Sequence, residues 1–139
     1  MEQTTISSQL DTYRWSQDRL GDGPAYPGHP LVLSTIIMHA FDSMEAADKR
    51  TIDGWSTALA DCRIPGAGDH VGQAMRILRM GRDGATPDEM VAVAHRYWTD
   101  GKAGGHVKNV PLGNEQASKI EQLFRSKVAT WLRPPCVAH

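Results

Sequence analysis

Side chains that could do chemistry are present, but their spacing matches no catalytic or metal-binding motif. The chain contains six histidines and two cysteines, and none of them has the H-E-x-x-H, C-x-x-C or mixed Cys/His spacing of a zinc site. No serine or cysteine lies in a nucleophile-elbow context, and periodicity places no pair of carboxylates on one buried face. We therefore expect neither an enzyme nor a cofactor or metal site.

The most regular pattern lies between Asn114 and Leu132, where apolar residues recur at the i, i+3, i+4, i+7 spacing of one helix face. The apolar residues of this stripe are Ala117, Ile120, Leu123, Phe124, Val128, Trp131 and Leu132. The opposite face carries Glu115, Ser118, Lys119, Gln122, Arg125 and Ser126. Asn114 can cap the start, and Pro134 and Pro135 end the helix because proline lacks the N–H donor. The polar face suits a DNA groove or water equally well.

The segments before this helix give the polar face a possible use. Pro87 to Asp100 reads as a helix with proline and two acids in its first turn, and it stops at Gly101. A short segment follows, and Pro111 to Gly113 form a turn before the long helix begins. This order predicts a helix-turn-helix over residues 87–133, whose last helix would enter the DNA major groove. Gly104 and Gly105 weaken the short helix by about 1 kcal/mol each relative to alanine.

The rest of the chain also reads as helical. Helices are predicted from Ser7 or Ser8 to Leu20, from Leu31 to Met44, from Glu45 to Cys62, and from Asp69 to a turn over Gly81 to Thr86. Segments 21–30 and 63–68 are rich in Gly and Pro and separate these helices. No alternation of period two is long enough for a strand. The 139 residues are therefore expected to form one all-α domain, residues 1–139, of about six helices.

Charge divides unevenly along the chain. Residues 1–75 contain five Lys or Arg and ten Asp or Glu, a net charge of −5, whereas residues 76–139 contain ten and six, a net charge of +4. Such asymmetry suggests a basic half that meets phosphate and an acidic half that meets a protein. The alternative is that both halves are solvated surface. A +4 half predicts weak DNA binding that falls steeply with salt.

No segment has the composition of a membrane span or a secretory signal. Apolar runs stay far short of the ~20 residues that cross a bilayer. The N-terminal residues are acidic and polar where a secretory signal has a basic start and an apolar middle. Cys62 and Cys136 lie far apart, as in a reducing compartment. We expect a cytoplasmic protein.

Several short motifs follow one another along most of the chain. They are the sequence YRWS at residues 13–16, Tyr26-Pro27 in a Gly-rich loop, a helix starting at Asp69, AHRYWTDG at residues 94–101, and GNEQ at residues 113–116. This order resembles the short, zinc-free branch of phage Q-type antitermination proteins. The likeness covers most of the chain. It implies a C-terminal helix-turn-helix similar to sigma region 4. It also implies a regulator that binds DNA near a late promoter, engages RNA polymerase and its sigma factor, and suppresses termination in the bacterial host.

On this hypothesis the DNA contacts divide between two segments. Lys102, His106 and Lys108 would hold phosphates, and Arg125 would reach the DNA backbone or solvent. The residues predicted to face base edges are Asn114, Gln116, Ser118, Lys119 and Gln122. Trp15 and Tyr26, in the acidic half, are the predicted polymerase-facing residues.

Two other functions fit the same sequence. A dimeric helix-turn-helix repressor would use the same DNA surface, yet it would prefer a palindromic site and need no polymerase. A helical adaptor or inhibitor would bind a protein through the face of Ile120, Phe124 and Trp131, or through the loop with Tyr26, and would not bind DNA. An exposed basic surface between Lys102 and Arg125 favours DNA, whereas a buried or mixed surface favours the adaptor.

Overall fold

The computed structural model describes residues 14–19, 31–62, 70–99 and 114–132. In these ranges the regular structure is entirely helical: α1 at residues 14–19, α2 (Val32–Ser43), a 3-10 turn (Asp48–Arg50), α3 (Ile52–Asp61), α4 (His70–Arg82), α5 (Pro87–Thr99), α6 (Asn114–Phe124), a π turn (Arg125–Ala129) and α7 (Thr130–Leu132). The last three run without a break and are called here the C-terminal helix. The predicted all-α class with about six helices is confirmed. The turn and short helix of the predicted helix-turn-helix lie outside the described residues.

The core is built around α2. Ten of its 12 residues, Val32 to Phe41, are buried, and the helix packs against α3, α4, α5, α6 and the π turn. A helix that is buried on almost every side is expected at the centre of a helical protein. The buried Thr35 hydroxyl donates to the Leu31 carbonyl at 2.8 Å, which satisfies it within the helix. The position of every other helix is therefore set by its contact with α2 or with a neighbour of α2.

The predicted apolar stripe of the C-terminal helix is confirmed at four positions, while Leu123 and Trp131 are half-buried and the side chain of Ala117 lies outside the description. Ile120, Phe124 and Val128 are fully buried, and Leu132 is 7% exposed. The π turn adds a residue to one turn, and the Thr130 hydroxyl donates to the Arg125 carbonyl, five residues earlier, at 2.7 Å. The stripe packs on α2 and α5, which fixes the rotation of this helix about its own axis.

The predicted helix from Glu45 to Cys62 is wrong in its first part. A 3-10 turn precedes α3, which begins at Ile52 with Thr51 as its N-cap. The Thr51 hydroxyl accepts from the Gly54 N–H at 3.0 Å, and the Trp55 indole N–H donates to the Lys49 carbonyl at 2.8 Å. Both contacts require the chain to bend before Ile52, so they outweigh the helix propensity of the preceding residues.

The turn between α4 and α5 starts later than predicted. Instead of ending at Gly81, α4 continues to Arg82. Gly84 has φ 125°, a left-handed conformation that costs glycine little, and the Ala85 N–H donates to the Met80 carbonyl at 2.9 Å. This is the Schellman closure of a helix. Thr86 and Glu89 then form a capping box, with bonds of 3.1 and 2.9 Å, that starts α5 at the predicted proline.

Candidate nucleic-acid interface

The C-terminal helix presents a polar face to solvent. Its exposed residues include Ser118, Lys119, Gln122, Arg125 and Ser126, all on the side opposite the buried stripe, as the periodicity predicts. Because the stripe is buried against α2 and α5, this face cannot rotate inward without exposing the core. The exposure of these five residues is confirmed, while their contact with DNA stays a prediction.

The two cations of this face differ in their surroundings. The Arg125 guanidinium contacts the Glu121 carboxylate at 2.9 Å and is 61% exposed. An exposed pair at this spacing stabilises a helix by only a few tenths of a kcal/mol, so a phosphate can compete for the guanidinium. Lys119 forms no ion pair with a described residue. The described part of the face is thus exposed and carries two cations and one carboxylate.

The structure describes only some of the remaining residues that were predicted to contact DNA. Asn114 and Gln116 lie in the first turn of α6, and their side chains are outside the description. Lys102, His106 and Lys108 lie outside the described residues, as does Tyr26. The predicted phosphate contacts of the short segment therefore stay predictions.

Trp15, predicted to face a partner, is 7% exposed. Its indole N–H donates to Asp42 Oδ2 at 2.7 Å, and its ring stacks on His39 with 5.4 Å between ring centres. Arg19 covers the ring at 5.1 Å. The described contacts of Trp15 are therefore internal ones that attach α1 to α2, and we leave it out of the candidate interface.

The carboxylate of Asp42 joins three helices. It accepts from Trp15 of α1 and, at 2.9 Å, from Lys127 Nζ of the C-terminal helix, and Arg19 lies at 3.9 Å. Burial raises the pKa of the Asp42 carboxyl, but the hydrogen bonds from Lys127 and Trp15 and the charges of Lys127 and Arg19 outweigh burial and leave the pKa below its ordinary value. The carboxylate stays ionised and holds the C-terminal helix to α2.

A second attachment lies near the end of the C-terminal helix. Lys49 Nζ and Arg50 Cζ of the 3-10 turn lie 5.0 and 4.9 Å from the centre of the Trp131 ring. Cations at this distance from an indole are attracted to its π face by about 0.5–1 kcal/mol each at exposed sites. The candidate interface is therefore carried by a helix that is held by its apolar stripe, by Asp42 and by Trp131.

Sequence reasoning missed a second group of cations. Arg76, Arg79 and Arg82 are all exposed on α4 and are called here the arginine row. The 13 residues of α4 contain no acidic side chain. The signal in the sequence is the spacing of the three arginines at i, i+3 and i+6, which places them on one side of a helix.

A groove lies between the end of α4 and the C-terminal helix that carries the polar face. Its volume is about 440 Å³, and its lining includes Gly81 of α4, Ala85 and Pro87 of the following turn and α5, and Arg125 and Thr130 of the C-terminal helix. Gly81 directly precedes Arg82. The C-terminal end of α4 and Arg125 of the polar face therefore border one groove, while the exposed Arg82 lies next to the groove and does not line it.

A second cavity among the described residues is acidic. It has a volume of about 570 Å³, lies between the end of α2 and α3, and is lined by four carboxylates, Glu45, Asp48, Asp53 and Asp61, together with His39 and Cys62. Its field repels a nucleic acid. In the described ranges, no group of three or more His, Cys, Asp or Glu is arranged to hold a metal ion.

None of the described helices has the length and apolar composition needed to cross a lipid bilayer. Comparison of the chain with protein-family models, with curated proteins and with solved structures finds no match.

Proposed function

We propose that the protein is a DNA-binding transcription regulator that reads a duplex with the polar face of α6. The observation that supports this most is the division of one helix into a fully buried stripe and an exposed face of hydrogen-bonding side chains. Gln122 can bond adenine through its amide, Lys119 can donate to guanine, and the Ser118 hydroxyl can bond either base. A helix of this kind is what a major-groove reader presents to DNA.

The fixed position of the helix also supports DNA reading. Base recognition requires side chains at set positions along the groove, and a helix free to rotate would lose that register. Ile120, Phe124 and Val128 are fully buried, and the Lys127–Asp42 bond joins this helix to α2. In the unbound protein the helix therefore already has the rotation in which Lys119 and Gln122 point outward. DNA binding then needs no rearrangement of the core.

The particular process we propose is transcription antitermination. The resemblance to phage Q-type antiterminators suggests a protein that binds DNA near a late promoter, contacts RNA polymerase and its sigma factor, and allows the enzyme to pass terminators. The fold and the polar face support only the DNA-binding part of this proposal. The polymerase partner rests on the order of motifs in the sequence.

The adaptor that uses the face of Ile120, Phe124 and Trp131 is disfavoured. Ile120 and Phe124 are fully buried inside the protein, and Trp131 lies beneath Lys49 and Arg50. A partner could reach this face only by displacing the C-terminal helix from α2. The dimeric repressor differs from our proposal in its DNA site, which would be palindromic.

The test compares two matched double variants on a duplex selected by the wild-type protein. Lys119→Ala/Gln122→Ala removes a cation and an amide from the polar face. Arg14→Ala/Gln17→Ala removes the same two groups at the same spacing from the exposed side of α1. We expect the first variant to lose about 1–3 kcal/mol of discrimination at a base pair that it reads. We expect the second to keep the wild-type site preference.

Circular dichroism before binding verifies that both variants fold. Equal site preference in wild type and the Lys119/Gln122 variant would sink the assignment of the reading face. An equal loss in both variants would show that general charge, rather than the polar face of α6, determines binding.

A further inference from the structure

The arginine row is a cationic surface with little to neutralise it. Arg76 and Arg79 form no ion pair with a described residue, and Arg82 lies 3.6 Å from the exposed Asp83. Successive arginines are about 60° apart around the helix and about 4.5 Å apart along it. The three side chains therefore cover a strip about 9 Å long on one side of α4.

Helix stability accounts for only part of this row. Arg79 and Arg82 lie in the last turn of α4, where cations interact favourably with the helix dipole. Arg76 lies before the last turn, beyond the reach of that effect. Its buried neighbours Met75 and Ile77 anchor α4 in the core and leave Arg76 directed at solvent. Among the described residues, Arg76 is thus an exposed guanidinium without an ion-pair partner.

The groove described above determines which partner the row suits. Arg125, on the polar face of the C-terminal helix, and Gly81, the buried residue before Arg82, line the same groove, so the C-terminal end of α4 borders the polar face. A duplex read by α6 would therefore extend past the end of α4. Its phosphates carry one negative charge per about 1.7 Å of helix axis, and guanidinium groups bind phosphate oxygens bidentately.

We propose that the arginine row binds the sugar–phosphate backbone of the DNA duplex that α6 reads. This inference rests on the proposed function and adds a second contact to it. The row positions the duplex and does not read bases, because phosphate contacts carry no sequence information directly. The polar face of α6 selects the site, and the row supplies much of the salt-dependent affinity.

The test measures the affinity for the selected duplex as a function of salt. Arg76→Gln/Arg79→Gln removes two charges with side chains that suit a helix, and Arg76→Lys/Arg79→Lys keeps the charge as a control. Each phosphate contact contributes about 0.9 to the slope of log affinity against log salt. We expect the Gln variant to have a slope shallower by about 1.8, so that the advantage of the wild type shrinks about tenfold between about 50 and about 200 mM salt.

The selected site, the thermal midpoint and the slope of the Lys variant should stay close to those of the wild type. An unchanged slope in the Gln variant, or an equal loss in the Lys variant, would overturn the inference. An altered site preference in the Gln variant would also overturn it, because the row would then read bases. A shallower slope together with an unaffected Lys119/Gln122 variant would support the row and reject the reading face. No binding by the wild type would reject both proposals.

Discussion

Asp42 shows how one side chain can hold the candidate interface in place. Asp42→Asn should lower the free energy of unfolding by about 1–2 kcal/mol, because it replaces a charge-assisted bond to Lys127 with a weaker one at a site that is 31% exposed. Chemical denaturation at neutral pH measures the change. Asp53→Asn, at an exposed position in the first turn of α3, is the matched control and should cost less than about 1 kcal/mol, the contribution of a carboxylate at a helix start. An Asp42→Asn protein as stable as the wild type would contradict this role.

The same carboxylate predicts a pH dependence. The pKa of Asp42 is lower in the folded protein than its ordinary value, so its contribution to stability is fully present above the ordinary range of aspartate and is lost as the pH falls through the folded-state pKa. The wild type should therefore lose more stability on acidification than Asp42→Asn does. Denaturation of both proteins over a pH series measures the difference. Parallel curves would show that the carboxylate contributes nothing.

At the residue scale, the sequence predicted which side chains are exposed better than which side chains contact each other. The helical period placed Lys119, Gln122 and Arg125 opposite the stripe, since that period depends only on neighbours along the chain. The bond between Asp42 and Lys127 joins residues 85 apart, and no local pattern indicates it. Trp15 packs against His39 and bonds to Asp42, 27 residues away, so the sequence could not distinguish an internal indole from an exposed one.

At the scale of elements, Gly54 tests why α3 begins where it does. A Cβ at this position would contact the backbone of Asp48, with the Asp48 Cα at 2.8 Å. We expect Gly54→Ala to destabilise the protein by about 1–3 kcal/mol through overpacking, even though alanine favours a helix by about 1 kcal/mol. Gly72→Ala, at an exposed position of α4, is the control and should be neutral or stabilising by up to about 1 kcal/mol.

Urea unfolding of both glycine variants gives the comparison. If Gly54→Ala were as stable as Gly72→Ala, the close approach of α3 to the 3-10 turn would not be a constraint on the fold.

Helix centres were predictable, while two boundaries were not. The stripes of α2, α5 and the C-terminal helix are long enough for their period to identify them. The start of α3 was missed because residues 45–50 favour helix locally. The Trp55 side chain bonds to a carbonyl six residues earlier, which the helical period does not indicate, and the contact of Trp131 with the 3-10 turn is tertiary. The end of α4 was missed because two glycines, Gly81 and Gly84, offered a stop, and only Gly84 takes the left-handed conformation.

At the scale of the whole molecule, acidic and basic side chains are concentrated on different helices. The sequence predicted an acidic first half and a basic second half. In the structure the boundary falls between α3, whose two charged residues are both aspartates, and α4, whose three are all arginines. On the proposed function, a duplex approaching this protein would be repelled by the acidic cavity beside α3 and attracted by the arginine row and the polar face. Overall charge near zero therefore does not argue against a nucleic-acid partner.

The most direct measurement is selection of a fluorescent DNA library by the purified wild-type protein at two salt concentrations, with sequencing of the bound fraction. DNA reading by the polar face predicts enrichment of one defined site and an affinity that falls steeply as salt rises. A single site without a palindrome would favour the antiterminator over a dimeric repressor. The absence of binding at the lower salt concentration, or binding with no enriched sequence, would contradict the account.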